Sequence, residues 1–137
     1  MTSSQLEKRL TAVFAAEAVT IGTVNSLRME VWIGILNHYK TTLAGQIKRA
    51  GGKVIGRSQT AILAEFDTIV HAVDCGLKFQ HSVLVRNRGL PPENRVFFRL
   101  GLHVGEIILG VDALTGRGVQ LATQLVANTP PGGISIS

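Results

Sequence analysis

Cysteine is almost absent from this chain of 137 residues, and long apolar runs are absent altogether. The single cysteine, Cys75, excludes an intrachain disulfide. We therefore expect a small buried side chain there and see no sign of an oxidising compartment. No apolar stretch approaches the ~20 residues that a membrane-spanning helix needs. The composition thus predicts a soluble, cytoplasmic protein.

The N-terminal region carries the positive charge of a secretory signal but lacks its long apolar core. Lys8 and Arg9 precede the apolar segment 10–16, and Glu17 then interrupts it. A core of about seven residues is at the lower limit for a signal sequence. We interpret the segment as the start of a buried strand instead.

Acidic residues are few: nine Asp and Glu stand against fourteen Lys and Arg, which gives a net charge of +5. The basic residues are spread along the chain, so they indicate a solvated surface rather than a basic tail. Aromatic residues make up only 5% of the chain. The arginines at 86, 88, 95 and 99 therefore lack the interleaved aromatics of a platform for single-stranded nucleic acid, and we expect no nucleic-acid partner.

What the chain does have is enough apolar content for one core. Hydrophobic residues make up 45% of it, and its length matches one domain of ~100–200 residues. We predict a single domain over residues 1–137.

Hydrophobic spacing predicts the first half of the fold. Residues 10–19 form a strand buried on both faces. A long amphipathic helix follows, capped by Asn25 or Ser26 and ended by the glycines at 51 and 52. Two short β-prone runs, 53–57 and 61–66, form a hairpin.

The second half repeats this alternation. Asp67 or Thr68 caps a second helix, which ends before Gly89. Its predicted apolar stripe consists of Ile69, Val70, Val73, Leu77 and Leu84. After the second helix the pattern predicts a strand over 96–109 and a turn-rich segment over 110–118. It then predicts a short helix containing Val119, Ala122 and Val126, and a last strand with Ile134 and Ile136.

The long strand has two different faces. Its core face carries Phe98, Leu100, Leu102 and Val104, and the other carries Arg99, Gly101, His103 and Gly105. Alternating glycine indicates that another backbone comes close to that face. The order of elements predicts an α/β (α+β) fold: a ferredoxin-like sandwich with a mixed, mostly antiparallel sheet and helices packed on it.

Several strings occur in a characteristic order along this chain. They are Leu-Thr-Ala-Val-Phe-Ala-Ala-Glu at 10–17, Gly-Gly-Lys-Val-Ile at 51–55, Glu-Phe at 65–66, Arg-Leu-Gly-Leu-His-Val-Gly-Glu at 99–106, Gly-Arg-Gly-Val at 116–119 and Pro-Gly-Gly-Ile at 131–134. The ordered set resembles the bacterial class III adenylate and guanylate cyclase catalytic domain. The resemblance runs from about Leu6 to Ser137.

The resemblance implies a symmetric homodimer, or a heterodimer with another cyclase-type domain. It also implies conversion of a nucleoside triphosphate to a cyclic nucleotide at sites shared between subunits. Domains of this family usually continue past the position of Ser137 with further strands. The resemblance therefore implies a cyclase-homology domain that lacks its usual C-terminal strands.

The family's functional positions are occupied by unsuitable residues here. Its two metal-binding aspartates align with Glu17 and Thr60, and Thr60 is neutral. Its purine-recognising pair aligns with Gly56 and Arg117, and its transition-state asparagine and arginine align with Gln120 and Gln124. The resemblance thus implies degenerate metal, purine and transition-state positions, and no cofactor is expected.

Three functional hypotheses remain open. The first is a catalytically degenerate cyclase-like domain that acts as a dimerising regulatory or signalling module. The second is an active adenylate or guanylate cyclase that uses Mg²⁺ or Mn²⁺, with Glu17 and a second ligand such as Glu65 or Asp112. The third is a sensor in which Arg57 and Arg117 bind an anion without metal.

Overall fold

A mixed five-stranded sheet forms the centre of the computed structural model, which describes residues 7–19, 26–109 and 123–137. Its elements in chain order are β1 (Glu7–Val19), α1 (Ser26–Arg49), β2 (Lys53–Arg57), β3 (Ala61–Phe66), α2 (Ile69–Arg88), a 3₁₀ turn (Pro92–Asn94), β4 (Phe97–Leu109) and β5 (Ile134–Ile136). Residues 123–127 are also helical. The predicted segment 110–118 and the start of the third helix lie outside the described residues.

The strand order in the sheet is β2-β3-β1-β4-β5. Every neighbouring pair is antiparallel except β4 and β5, which are parallel. The sheet confirms the predicted ferredoxin-like sandwich. The strand bounds also agree with the prediction, except that β1 begins at Glu7 instead of Leu10 and β4 at Phe97 instead of Val96.

The main core lies between the sheet and the helices α1 and α2. Ala12, Phe14, Ala16 and Ala18 of β1 face it, and we call this side the helix face. Tyr39, Phe79 and Phe98 meet edge to face at its centre, with ring centroids 4.9 to 6.3 Å apart. Such tilted aromatic pairs stabilise a core beyond the area that they bury.

The two glycines that end α1 have different roles. Gly51 has φ +83, a left-handed conformation that glycine adopts without strain. A Cβ on Gly52 would lie 2.6 Å from the ring of Phe66. Gly52 therefore lets the chain turn into β2 directly against the core.

The predicted apolar stripe of α2 is correct for Ile69 and Val73, which pack against the main core, and wrong for its other three residues. Val70, Leu77 and Leu84 are 69%, 58% and 50% exposed. The buried residues of α2 are Ala72, Cys75, Gly76, Phe79, Val83 and Asn87. The small residues among them bring the helix close to the sheet, and a Cβ on Gly76 would lie 3.2 Å from Leu100 Cδ2. Close approach, rather than the spacing of large aliphatic residues, selects the packed face.

The opposite side of the sheet, which we call the second face, carries Val13, Ala15 and Glu17 of β1. Val13 and Ala15 are buried there by Val126, with the partly buried Ile55 and Leu63 beside them. The helical residues 123–127 thus cover part of this face, which positions the candidate site.

No helix in the described part of the chain is long and apolar enough to cross a membrane.

Candidate functional site

Glu17 lies on the second face, near one end of the sheet. In the strand register it is opposite Ala61 of β3 and Arg99 of β4. The side chain is half-buried. A carboxylate is therefore present on the second face where the cyclase resemblance expects the first metal ligand.

Thr60 lies next to Glu17, as the alignment with the cyclase family implies. The main-chain nitrogen of Ala18 donates a hydrogen bond of 2.8 Å to the Thr60 carbonyl oxygen. Two further bonds hold the β2–β3 turn: Ser58 N donates to Ala61 O at 3.0 Å, and Lys40 Nζ donates to Ser58 O at 3.0 Å. The fold therefore brings the main chain of Thr60 against β1, one residue beyond Glu17.

Gly56 and Arg57 lie on opposite faces of β2. Gly56 pairs with Leu63, which belongs to the second face, whereas Arg57 pairs with Ile62 of the main core. An irregularity between Val54 and Gly56 sets this register, because a bulge changes the side on which later residues lie. The hypothesis that Arg57 shares an anion site in the cyclase cleft is therefore wrong. Arg57 faces α1.

Gln124 is exposed on the helical segment 123–127, and its carbonyl oxygen accepts a 3.2 Å bond from Asn128 Nδ2. This segment is attached to the second face in two ways. Val126 packs on Val13 and Ala15, and Arg99 Nη1 donates to Ala127 O at 3.2 Å. Arg117 and Gln120, the other predicted positions of this region, lie outside the described residues.

Arg99 is the site residue that the sequence analysis missed, since it was assigned to the solvated surface. It is only half-exposed and lies directly across the β1–β4 ladder from Glu17. Its Nε is buried without a hydrogen-bond partner among the described residues. Pairing the two strands in antiparallel register would have revealed this opposition of charges.

Glu65 is not placed to complete a metal site with Glu17. It is opposite Val13 in the register, and Val13 is four residues from Glu17 along β1. That offset is roughly 13 Å at ~3.3 Å per residue, too far for two carboxylates to share one ion. Asp112 lies outside the described residues. Within residues 7–19, 26–109 and 123–137, no group of three or more His, Cys, Asp or Glu could hold a metal ion.

The groups with shifted pKa values lie away from Glu17. Burial first, and the nearby Asp74 carboxylate second, raise the pKa of the Cys75 thiol to about 11. Burial also raises the pKa of Tyr39, which the Arg86 guanidinium lowers in part. Both groups belong to the core of the helix face. Their shifts therefore indicate burial in that core.

Comparisons with known proteins agree with this architecture. The chain is 30% identical over 145 residues to “Putative adenylate cyclase 3” of Rhizobium meliloti (strain 1021). That match covers all of this chain but only 24% of the relative, so the chain spans about a quarter of its length. No family model matches the chain.

Solved structures give the same result. The adenylate/guanylate cyclase/hydrolase from Silicibacter pomeroyi superposes with a TM-score of 0.79 at 30% identity, covering 96% of this chain and 77% of that one. The adenylyl cyclase CyaB from P. aeruginosa superposes with a TM-score of 0.76 at 19% identity, covering 96% of this chain and 78% of that one. At this identity the comparison shows a similar fold. Together with the strings at 10–17, 99–106 and 131–134, these similarities show that the chain belongs to the class III adenylate/guanylate cyclase catalytic domain family.

Proposed function

We propose that this chain is a catalytically degenerate cyclase-homology domain that acts as a dimerising regulatory or signalling module. The observation that carries the proposal is the position of Thr60. Its main chain is bonded to Ala18, the residue after Glu17, and the family resemblance aligns it with the second metal-binding aspartate, for which it offers only a neutral hydroxyl.

The donor set around Glu17 does not fit a pair of divalent ions. Mg²⁺ requires near-ideal octahedral oxygen ligands and is usually held by one or two carboxylates together with substrate phosphates. Glu17 supplies one carboxylate on a longer side chain than aspartate, and the guanidinium-bearing Arg99 lies opposite it in the register. A positive charge near the site disfavours a cation further. The metal half of a shared cyclase site is therefore incomplete.

The remaining family positions support the same proposal. Gly56 lies on the second face but has no side chain with which to bind a purine. Gln124 stands at the position of the family's transition-state arginine. Loss of an arginine that stabilises phosphoryl charge costs ~10³–10⁵ in rate. The transition-state half of the site is therefore weakened as well as the metal half.

The dimer part of the proposal rests on the likeness to cyclase domains. Gly101 and Gly105 of β4 are buried on the second face, so they allow close packing within the chain there. A twofold dimer needs only one self-complementary patch elsewhere on the surface. Light scattering at tens of micromolar protein should give twice the chain mass of 14.7 kDa, and a monomer would contradict the dimer.

The direct test of lost catalysis is a turnover assay on the purified domain. ATP and GTP are incubated with it in Mg²⁺ and in Mn²⁺, and cyclic nucleotide is separated by chromatography. We expect none above a protein-free blank. When the domain is mixed with an active homologue, the homologue's activity should fall or stay unchanged, because each shared site in a mixed dimer receives one defective side.

One observation favours the alternative of an active cyclase: Glu17 retains a carboxylate at the first metal position. An active domain would use Mg²⁺ or Mn²⁺ there with a second ligand other than Glu65. The two functions are separated by a pair of variants. The alternative would replace our proposal if the domain turned over nucleotide, Glu17→Ala abolished that turnover, and Glu30→Ala, on the exposed side of α1, left it intact.

A further inference from the structure

A basic groove runs along the outer edge of the sheet, between α1 and β2. Lys48, Lys53 and Arg57 line it, and Ala44 and Val54 form part of its floor. Its volume is about 510 Å³. The three cationic side chains are exposed, whereas the two apolar ones are half-buried. The groove thus has an apolar base and charged rims.

The charge of the groove is unbalanced. No Asp or Glu is among the described residues that line it. Glu65, which is opposite Lys53 in the strand register, is only 6% exposed. Lys40, whose Nζ is bonded to the Ser58 carbonyl oxygen, adds a fourth cation near Arg57. Cations gathered in a concave site with low-dielectric walls attract an anionic partner.

The groove is bordered by an edge strand. β2 is the end strand of the sheet, and among the described residues it pairs only with β3. An edge strand directs unpaired main-chain N–H and C=O groups outward, where an extended peptide can bond to them. Lys53 and Arg57 mark the two ends of β2, and their partners Glu65 and Ile62 are three residues apart on β3, roughly 10 Å at ~3.3 Å per residue. Because of the irregularity in β2, the two cations flank its free edge from opposite faces. An extended peptide on that edge directs alternate side chains to both faces.

We propose that this groove binds an acidic, extended polypeptide segment of a partner protein, which pairs with the free edge of β2. Its main chain bonds to β2, its carboxylates meet Lys48, Lys53 and Arg57, and its small apolar side chains contact Ala44 and Val54. The groove lies on the α1 side of β2, away from Glu17 and Thr60. Binding there is independent of whether the cyclase site is active.

The shape and composition of the groove favour a peptide over other polyanions. None of the described residues that line it is aromatic, so these residues offer no platform on which bases could stack. Ile47, the largest apolar residue described in its lining, is fully buried and is not available to insert into a lipid interface. We therefore expect neither nucleic acid nor an anionic membrane to bind in the groove, and the test includes both.

The test uses a fluorescein-labelled peptide of alternating Glu and Val, about ten residues long, and fluorescence anisotropy without nucleotide. We expect binding that weakens with salt and protection of the amides at 53–57 from hydrogen exchange. Lys53→Glu with Arg57→Glu should weaken binding by at least about tenfold, because like charges then face each other. The control, Lys78→Glu with Arg88→Glu, makes the same charge change on α2 and should leave binding within about twofold.

A second arm on the unaltered protein tests the strand pairing. A peptide of the same sequence, N-methylated along one edge, keeps its charge but loses main-chain donors and should bind at least about tenfold more weakly. Equal binding of the two peptides would overturn the pairing. Two results would overturn the groove as a peptide site. One is equal weakening of peptide binding by both double variants. The other is a protein that binds a single-stranded oligonucleotide or anionic phospholipid vesicles but not the peptide.

Discussion

Ala18 and Thr60 are joined by a main-chain hydrogen bond of 2.8 Å, from the nitrogen of the first to the carbonyl oxygen of the second. The bond attaches the β2–β3 turn to β1 one residue beyond Glu17. Because it uses only backbone atoms, it does not depend on the side chain at position 60. The main chain of the turn is therefore held beside β1 whatever side chain stands at position 60.

Thr60→Asp should restore metal binding. The substitution adds a carboxylate to the turn whose main chain is bonded next to Glu17, and the affinity for Mn²⁺ should rise by at least about tenfold because ligand charge sets cation affinity. Titration followed by electron paramagnetic resonance measures free Mn²⁺. Thr60→Asn, which adds a neutral side chain of the same shape, is the control, and an equal affinity for the two variants would contradict the prediction.

The corrected packing of α2 can be tested with two valines. Val83 is 3% exposed and Val85 is 50% exposed. Val83→Ala should lower the free energy of unfolding by about 2 kcal/mol, since two buried carbon atoms are lost and a cavity remains. Val85→Ala should change it by less than about 0.5 kcal/mol. Urea denaturation measures both values, and a reversed order would contradict the burial of Val83 on the packed side of α2.

Alkaline pH should destabilise the protein through Cys75. Its pKa is raised by burial from 9.0 to about 11. The folded state therefore holds the thiol proton more tightly than the unfolded state does. The protonated thiol's contribution to the free energy of unfolding is complete below pH 9 and is lost as the pH rises towards 11. The loss lowers the free energy of unfolding by on the order of 3 kcal/mol.

Cys75→Ala isolates this effect from the titration of Tyr39 and the lysines. Denaturation midpoints of the variant should fall less steeply between pH 9 and pH 11 than those of the unaltered protein. Parallel curves for the two proteins would show that the thiol does not carry the loss. The same burial should make Cys75 react slowly with thiol reagents at neutral pH, because the thiolate is the nucleophile.

Gln80 should control the stability of β5. Its Nε2 donates to Phe98 O at 2.9 Å and to Gly133 O at 3.0 Å, so one side chain links α2 to β4 and to the residue before β5. Gln80→Ala should cost about 1–2 kcal/mol and speed hydrogen exchange of the amides at 134–136. Gln124→Ala, at an exposed glutamine, should do neither. Unchanged exchange in the Gln80 variant would refute the link.

Patterns of hydrophobic spacing predicted the order and bounds of the elements well, because each element has a clear period and a clear end. The cap Thr68 accepts a bond from His71 N, as a capping residue should. The predicted strands 53–57 and 61–66 match β2 and β3. Local chemistry was sufficient in these places.

Tertiary relationships were harder to predict. The buried side of α2 depends on how close Ala72 and Gly76 come to the sheet, which no count of large aliphatic residues reveals. The face on which Arg57 lies depends on one irregularity in the register of β2. The opposition of Glu17 and Arg99 joins strands that are far apart in the chain. Each of these facts is a property of two elements together, so the sequence of either alone does not contain it.

The ladder between β1 and β4 also shapes how the chain folds. It pairs Glu7 with Leu109 at one end and Val19 with Phe97 at the other, so the partners are roughly 80 to 100 positions apart. Pairing of strands so far apart in the chain loses the conformational entropy of a long loop before any contact between them forms. Folding is therefore slower than for a protein with mainly local contacts. During synthesis β1 leaves the ribosome before both of its neighbours in the sheet, β3 and β4. The nascent chain therefore exposes the apolar part of β1 until β4 has emerged, and a chaperone that binds short apolar segments should meet β1 before its partners do.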